Sequence, residues 1–352
     1  MTNNPVSSVI WFFKRIPLTT LIIGGLFFIV LIAGGIIGLS VPGLISDSLQ
    51  RFGMWGLFVL AMVPSIQSGT GPNLALPIGI CAGLFSMVCA MEMGFTGASL
   101  LLVAAVFSII IGALFGYIYG RLMNAVKGSE MAIATYTGFA ITFLFCMIWL
   151  ILPFSHPNVG MFLGSGLRQM VSLVPFEAEQ LLENLWQFTV FGITIRTGTL
   201  LIFIIAAFLM WLFFRTKTGI SISAVGMNPV FARATGLNVN RSRVIANMIS
   251  TILAALGLII YAQGYGFVQL YNFPLMMAFP AVAAILVGGA NAHRSKIIHV
   301  VIGTFLFQGL ITTGPPIFGR ILEGEVISDA VRQVVQNGVI LYALTKLKGD
   351  SK

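Results

Sequence analysis

The chain has very little charge and very few acidic residues. Only 8% of its 352 residues are charged, and ten Asp and Glu stand against nineteen Lys and Arg. A water-soluble domain carries about 25% charged residues, so that class is excluded. The mean hydropathy of +1.00 supports the same exclusion. Apolar runs of about 20 residues, the length that a helix needs to cross a bilayer, recur along the chain instead.

The sequence also lacks the motifs of several functional classes. It has no G-x-x-x-x-G-K-[ST] nucleotide loop, no H-E-x-x-H motif and no nucleophile–base arrangement. Its three cysteines, Cys81, Cys89 and Cys146, fall within apolar runs without metal-ligand spacing, so we expect free core residues. We therefore expect a protein that is not an enzyme and binds no metal or cofactor directly.

The apolar runs predict an all-α, polytopic transmembrane helical bundle that forms a single domain over 1–352. Only helices or closed barrels satisfy their backbone in lipid, and strands of alternating polarity are absent. About ten spans are predicted, at 17–41, 52–69, 73–91, 97–120, 131–153, 198–214, 244–263, 274–290, 297–314 and 329–345. The first run follows Lys14 and Arg15 but exceeds a signal-peptide core of about 7–15 residues, so we interpret it as a retained span.

The distribution of charge predicts the orientation. If the N-terminus is cytoplasmic, the inner segments hold fourteen of the nineteen cations and the outer segments hold eight of the ten acids. We therefore expect both termini in the cytoplasm. Because the cations lie in short loops and not on one basic face, the net charge of +9 indicates membrane topology and no nucleic-acid partner. Spans 2–5 and 7–10 then have opposite orientation, as an inverted repeat requires.

The largest outer segment, 154–197, contains the stretch "VPFEAEQLLENLWQF". Its apolar residues share one helical face, with the glutamates elsewhere: Phe176, Leu181, Leu182, Leu185 and Phe188. This pattern predicts a helix on the outer surface. Such a helix is either a landing surface for an extracytoplasmic partner or a plain interfacial helix.

The cytoplasmic loop 215–243 carries five Lys and Arg and a short capped segment. Asn228 is suited to an N-cap, Pro229 to the first helical position and Gly236 to a helix end. These residues predict a helix from 229 to 235. A helix this short is marginal alone in water and needs a partner surface, on its own membrane domain or on another subunit. The alternative is an ordinary loop.

The run "FFRTKTGISISAVGMNPVFARATGLNVNRSRVIANMISTILAALGLIIYAQ" resembles the characteristic region of bacterial ABC importer permeases of the branched-chain amino acid and ribose class. The residues that match that pattern are Gly226, Asn228, Pro229, Ala232, Arg233, Gly236, Asn238 and Val239. Phe231 replaces a small residue and Leu237 replaces Ile. The segment "FPAVAAILVGGAN" at 279–291 and the order of spans extend the likeness over most of the chain.

The resemblance implies a multi-pass protein of the bacterial inner membrane, surrounded by membrane lipid, that forms the pathway for a monosaccharide, nucleoside or sugar-like solute. It implies three partners: a second permease subunit, identical or homologous, an extracytoplasmic solute-binding protein, and an ABC ATP-binding subunit that holds ATP and Mg. The segment from Asn228 to Gly236, preceded by Gly226, would be the coupling helix. Phe231 would be its apolar anchor and Arg233 a polar contact.

Two polar interruptions are candidates for the solute pathway. The first, "PSIQSGTGPNLALPIG", lacks the acid that the family often carries there, and offers Gln67, Ser68, Thr70 and Asn73. It either lines the pathway or forms a short cytoplasmic turn.

The second interruption, "AQGYGFVQLYNFP", falls on the opposite side of the membrane. It offers Gln263, Tyr265, Gln269 and Asn272 for stacking and hydrogen bonds to a polar ring-shaped solute. Tyr271 and Phe273 also fit an interfacial aromatic belt.

The alternative function is an ion-coupled secondary transporter of a small solute. Proton coupling usually needs an ionisable residue within the membrane, and the predicted spans contain none deep inside. Sodium bound by backbone carbonyls would escape that test. A channel or a scaffold is a third class, which the capped cytoplasmic helix disfavours.

Overall fold

A computed structural model of the chain describes residues 17–154, 156–161, 166–292, 294–321 and 325–349. Its helices are α1 Leu18–Ile36, α2 Val41–Leu60, α3 Met62–Gln67, α4 Leu76–Glu92, α5 Gly97–Ala125, α6 Glu130–Ile151, α7 Thr197–Phe213, α8 Lys217–Met227, α9 Pro229–Ala234, α10 Val239–Tyr265, α11 Phe273–Val287, α12 Ile297–Ile321 and α13 Glu325–Gly349. Its strands are β1 Met170–Ser172, β2 Gln187–Val190, β3 Ile193–Arg196 and β4 Phe267–Gln269.

Every predicted span coincides with a described helix, and the predicted polytopic helical fold is confirmed. Among the described residues, six helices are long and apolar enough to cross a membrane: Leu18–Ile36, Val41–Gln67, Gly97–Ala125, Glu130–Ile151, Val239–Tyr265 and Ile297–Ile321. Helices α7 and α8 form a pair bent by 77° that could count as a seventh span. Helices α4 and α11 are shorter and apolar. The three cysteines are free, but only Cys81 is a buried core residue, since Cys89 and Cys146 are partly exposed.

Helix α2 begins eleven residues before the predicted span. Ser40 Oγ accepts a hydrogen bond from the Gly43 N–H at 3.2 Å, and Pro42 occupies the first turn. A serine cap followed by proline is a strong helix start, and the apolar pattern alone did not include it. Arg51, predicted to lie in an outer segment, therefore lies inside a helix.

Close backbone contact joins α5 to α10. Small residues recur every fourth position along one buried face of α5: Ala104, Ser108, Gly112, Gly116 and Gly120. A Cβ on Gly116 would lie 2.7 Å from Met248 Cα, and one on Gly120 would lie 2.8 Å from Val244 Cα. Lipid offers no hydrophobic force to bring helices together, so this close packing is what holds the pair.

The helix packing follows the pattern of the predicted inverted repeat. Helix α10 packs on α5 as α2 packs on α12, and α4 packs on α5 as α11 packs on α12. Helix α6 contacts α4 as α13 contacts α11. Each pair corresponds to its counterpart when spans 2, 3, 4 and 5 are matched in order with spans 7, 8, 9 and 10. This is the arrangement expected of such a repeat.

The bundle has two distinct ends, called here the coupling end and the outer end. The coupling end carries α8 and α9, and there Thr20 Oγ1 donates to the Val287 carbonyl at 2.6 Å. The outer end carries the strands: β1 pairs antiparallel with β4, and β2 with β3. The two polar interruptions lie at opposite ends, as predicted.

The prediction of a surface helix within 154–197 is wrong for the residues that the structure describes. A short 3-10 helix, Val174–Phe176, and the β2–β3 hairpin are present instead. Helical geometry is interrupted by residues with positive φ: Glu177 at 53°, Gln180 at 50°, Trp186 at 54° and Phe191 at 51°. Contacts with the bundle override the apolar periodicity, since Glu183, expected on the polar face, is fully buried.

Candidate coupling surface and solute cavity

Helix α9 forms where its capping residues predict it. Asn228 Oδ1 accepts hydrogen bonds from the Val230 N–H at 3.1 Å and the Phe231 N–H at 3.0 Å. Pro229 occupies the first turn, where its missing N–H costs nothing. The chain leaves through Gly236 at a φ of 83°, a left-handed conformation that glycine adopts freely. The predicted helix is confirmed.

The outward face of α9 and the last residue of α8, Met227, form a solvent-exposed apolar surface. Met227 is 67% exposed, Val230 77% and Phe231 64%, and Arg233 is exposed beside them. We call these four residues the coupling patch. Ala232 on the opposite face is buried against Val225 and Val239. The helix is thus fixed to its own chain by its small residue and presents its large residues outward.

Helix α8 was missed by the sequence reasoning and carries α9. Thr216 Oγ1 caps it by accepting from the Gly219 N–H at 3.3 Å, a signal present in the sequence. Its Gly226 packs directly against the turn that follows α3. A Cβ on Gly226 would fall 2.1 Å from the Gln67 carbonyl oxygen. Ser223 Oγ donates to Gln67 Oε1 at 2.7 Å. The predicted match residue Gly226 therefore has a close-packing role.

The polar residues of the first interruption bond to the protein around them. We call Gln67, Ser68, Thr70 and Asn73 the polar joint. Ser68 Oγ donates to the Ser65 carbonyl at 2.8 Å and lies 3.0 Å from Thr70 Oγ1. Asn73 Nδ2 donates to Ser250 Oγ at 2.7 Å, and Gln67 Nε2 to the Ser295 carbonyl at 2.6 Å. The joint links α3, α8, α10 and the loop before α12, and does not line the cavity described below.

An ion pair closes the same region. Arg243, near the start of α10, places Nη1 3.3 Å from Glu130 Oε1 at the start of α6. Its Nη2 lies 3.4 Å from the Gly69 carbonyl oxygen. The Arg243 side chain is largely buried, so this pair ties the joint to two membrane helices more firmly than a surface pair would.

A cavity of about 450 Å³ opens between α2, α10, α11, α12 and α13, toward the outer end. Its size lies in the usual range for small-molecule sites, about 300–1,000 Å³. It is lined by Arg51, Trp55, Tyr261, Tyr265, Gln269, Asn272, Phe273, Met276, Met277, Pro280, Phe307, Gln308, Ile311, Arg332, Gln333, Gln336 and Asn337. The predicted residues Tyr265, Gln269 and Asn272 come together here.

One wall of the cavity is aromatic. The Tyr261 ring lies 4.4 Å from the Tyr265 ring and 4.7 Å from the Phe273 ring, centroid to centroid. Trp55 meets Tyr261 edge to face at 5.9 Å. Phe273 is only 6% exposed, so it belongs to this wall and not to an interfacial belt. Tyr271 likewise faces protein, since its hydroxyl donates to the Leu167 carbonyl at 3.1 Å.

The remaining predicted residue, Gln263, lies outside the cavity and holds the outer segment. Its Oε1 accepts from the Leu182 N–H at 3.1 Å, and its carbonyl accepts from the Gln180 N–H at 2.8 Å. The side chain is fully buried. The glutamine thus supplies backbone partners to a loop that has no regular structure at that point.

Several cavity residues were not predicted. Arg51 was assigned to an outer segment because the start of α2 was placed too late. Gln308 is a polar residue in the middle of an apolar span, and that position alone is a signal of function in a membrane protein. Trp55 and Tyr261 carried no local signal that separated them from ordinary span residues. Arg332 is a charged residue within the predicted span 329–345, and that signal was not used.

The chain matches, over residues 44–344, the model of a family described as branched-chain amino acid transport system / permease component. It is 33% identical over 135 residues to the galactose/methyl galactoside import permease protein MglC of Haemophilus influenzae, which is 36% of this chain and 40% of that protein.

Two further relatives are similar over other lengths. The nucleoside ABC transporter permease protein NupB of Lactococcus lactis is 25% identical over 156 residues, 44% of this chain and 40% of that protein. The galactofuranose transporter permease protein YtfT of Escherichia coli is 26% identical over 270 residues, 70% of this chain and 76% of that protein. The alignments thus span less than half of the galactoside and nucleoside permeases.

Proposed function

Because the chain belongs to the family of branched-chain amino acid transport system permease components, we propose that it is the membrane-spanning permease subunit of an ATP-driven importer for a small polar solute. The protein is a transport subunit and a multi-pass protein of the bacterial inner membrane. The relatives named for galactosides, galactofuranose and nucleosides support a monosaccharide or nucleoside as the solute.

The observation that carries the proposal is the coupling patch. Two large apolar side chains, Val230 and Phe231, project from a capped two-turn helix, and Met227 at the end of α8 lies beside them. Ala232 is the buried residue of the helix and holds it to the bundle. An exposed apolar surface of this kind is typical of a protein–protein contact. The partner is an ABC ATP-binding subunit, which binds the ATP and Mg, since the sequence has no nucleotide loop of its own.

The route from the patch to the bundle runs through α8. Gly226 and Ser223 contact the polar joint, and the joint is bonded to α10 through Asn73 and Ser250. A displacement of α9 by the ATP-binding subunit would move α8 and the joint as one body. The cavity at the outer end supplies the solute site, with its aromatic wall suited to a sugar or nucleoside ring.

Two more partners complete the assembly that we propose. A second permease subunit, identical or homologous, forms the pathway together with this chain. An extracytoplasmic solute-binding protein delivers the solute to the outer end, where the cavity opens.

The test is a charge placed on the patch. The assay uses proteoliposomes that contain the permease subunits, the ATP-binding subunit and the solute-binding protein, with labelled galactose, adenosine, glucuronate and glucose 6-phosphate as probes. Phe231→Asp should reduce ATP-driven uptake of whichever probe the wild type imports at least tenfold. The buried aspartate would be left without a partner in the contact, which costs about 1–3 kcal/mol or more. Arg233→Glu should act in the same direction.

The matched control is Phe231→Leu, which keeps an apolar side chain and should keep most of the uptake. Membrane insertion of each variant is checked by its yield in the membrane fraction. Uptake at the wild-type rate by Phe231→Asp would show that α9 is not the coupling element.

A further inference from the structure

The floor of the cavity contains two buried hydrogen-bond donors without a protein acceptor. Trp55 is 7% exposed and Gln308 2%, and the indole Nε1 and the amide Nε2 have no partner in the part of the chain that the structure describes. An indole N–H can only donate. A buried donor left unsatisfied costs about 1–3 kcal/mol, so an occupant of the cavity should present acceptor oxygens at this depth.

The rim of the cavity is positively charged. The Arg51 guanidinium lies 5.3 Å from the centre of the Tyr265 ring and donates to the Tyr265 hydroxyl. A guanidinium has five N–H donors and keeps its charge at any physiological pH, so further donors remain for a ligand.

No carboxylate is among the residues that line the cavity within the described chain. Glu183 is not among the lining residues, and it accepts hydrogen bonds from Gln50 and Arg196. Charged groups at a partly buried site are costly unless a counter-charge is present. The Arg51 guanidinium, whose described contacts are with the Tyr265 side chain, therefore favours an anionic occupant over a neutral one.

Arg51 and Trp55 line the cavity from one face of α2. They are four residues apart on α2, and residues at that spacing share a helix face with about 5–6 Å between their Cβ atoms. Both side chains line the cavity and can therefore contact the same small molecule. The aromatic wall of Tyr261, Tyr265 and Phe273 flanks the same space.

We propose that the solute carries an anionic group, a carboxylate or a phosphate, on a small hydroxylated ring. Arg51 binds the anionic group at the rim, Trp55 and Gln308 donate to ring oxygens at the floor, and the ring lies against the aromatic wall. This inference rests on the proposed transport function and names the solute class of that same cavity.

The test measures binding to the purified full-length chain in lipid nanodiscs by titration calorimetry, with glucose, glucuronate and glucose 6-phosphate as probes. The charged probes should bind at least about tenfold more tightly than glucose, the usual gain of a charge-assisted hydrogen bond in a low-dielectric site. Whichever charged probe binds more tightly tells a carboxylate site from a phosphate site.

Three variants assign the preference to named groups. Arg51→Gln should remove the preference for charged probes, and Arg51→Lys should keep part of it. Trp55→Phe removes one donor, so it should weaken all three probes several-fold and leave the preference unchanged. The control Arg320→Gln removes the same charge from an exposed position on α12 outside the cavity and should change neither.

Equal binding of glucose and the charged probes, no binding of any probe, or an intact preference in Arg51→Gln would overturn the inference. ATP-driven uptake of a neutral sugar that is lost in Phe231→Asp would uphold the proposed function and overturn only this inference. A charge preference in the cavity, together with uptake that Phe231→Asp leaves intact, would uphold this inference and overturn the proposed role of α9.

Discussion

Glu183 is one of the residues that attach the outer segment to the bundle. Its side chain is fully buried, with Oε2 3.1 Å from Arg196 Nη1 and a hydrogen bond from Gln50 of α2. Burial raises the pKa of the Glu183 carboxyl above its usual value, and the contacts with Gln50 and Arg196 lower it only in part. The folded protein therefore holds a proton on this group more tightly than the unfolded chain does.

The raised pKa predicts a pH dependence of stability. A group whose pKa is higher in the folded state stabilises the fold below its unfolded pKa, about 4.3 for glutamate, and loses that contribution as pH rises through the folded pKa. The melting temperature of the wild type, measured against that of Glu183→Gln, should therefore fall as the pH is raised from 4 to 8. Thermal unfolding of both proteins in detergent measures this difference.

Glu177→Gln is the control for that experiment, because Glu177 is an exposed carboxyl of the same segment. Its melting temperature should follow the wild type at every pH. A constant difference between the wild type and Glu183→Gln over the whole range would show that Glu183 titrates alike in both states.

Among the elements, α8 makes a backbone contact that only glycine allows. Gly226 touches the backbone of Gln67 and Gly69 so closely that no side chain fits, since the Gly226 Cβ position lies 2.9 Å from the Gly69 nitrogen as well. Backbone atoms cannot move aside as a flexible side chain can. The contact between α8 and the polar joint therefore depends on glycine at this position.

A side chain at Gly226 should uncouple the two ends. Gly226→Val would displace α8 from the joint while leaving the coupling patch itself unchanged, so the ATP-binding subunit should still co-purify but solute uptake should fall at least tenfold. Gly338→Val, at a site with no atom within 4 Å of the new Cβ, is the matched control. Loss of the ATP-binding subunit along with uptake would mean that Gly226 shapes the patch and not the transmission.

The cap of α9 predicts a graded effect. Asn228→Ala removes the acceptor of two backbone N–H groups, which costs about 1 kcal/mol of helix stability. If the helix must be formed to bind, the affinity for the ATP-binding subunit should drop about fivefold. Asn228→Ser restores a capping oxygen and should restore most of the affinity. Equal affinities for Asn228→Ala and the wild type, measured by titration in detergent, would contradict this expectation.

The elements that local residues control were predictable, and those that distant contacts control were not. Helix α9 follows from Asn228, Pro229 and Gly236, which act within one turn. The prediction of a helix near Glu183 was wrong because the backbone there is held by a contact with α2, more than 130 residues away in sequence. The prediction of the cavity lining was incomplete for the same reason. Trp55 and Gln308 come together only when α2 and α12 pack.

At the scale of the whole molecule, the contact of α5 with α10 is the main interface between the two halves of the predicted repeat. Helix α5 belongs to the first half and α10 to the second, and they approach along the face of small residues that includes Gly116 and Gly120. The opposite face of α5 is apolar and exposed, with Leu102 at 68% and Ile110 at 62%, as suits contact with lipid. The relative position of the halves, and with it the shape of the cavity, depends on that close approach.

Gly116→Leu should therefore destabilise the whole bundle. Its Cβ would lie 2.7 Å from Met248 Cα, and because that atom is backbone, the two helices must separate. Overpacking of this kind costs about 1–3 kcal/mol or more, so we expect a lower melting temperature and a broader size-exclusion profile in detergent. Gly25→Leu adds the same side chain to an exposed helix position with no atom within 4 Å of the new Cβ and should leave both measurements unchanged. If the two variants behave alike, the interface between the halves tolerates separation of the two helices. The idea that α10 transmits movement rigidly from the coupling end to the cavity would then be wrong.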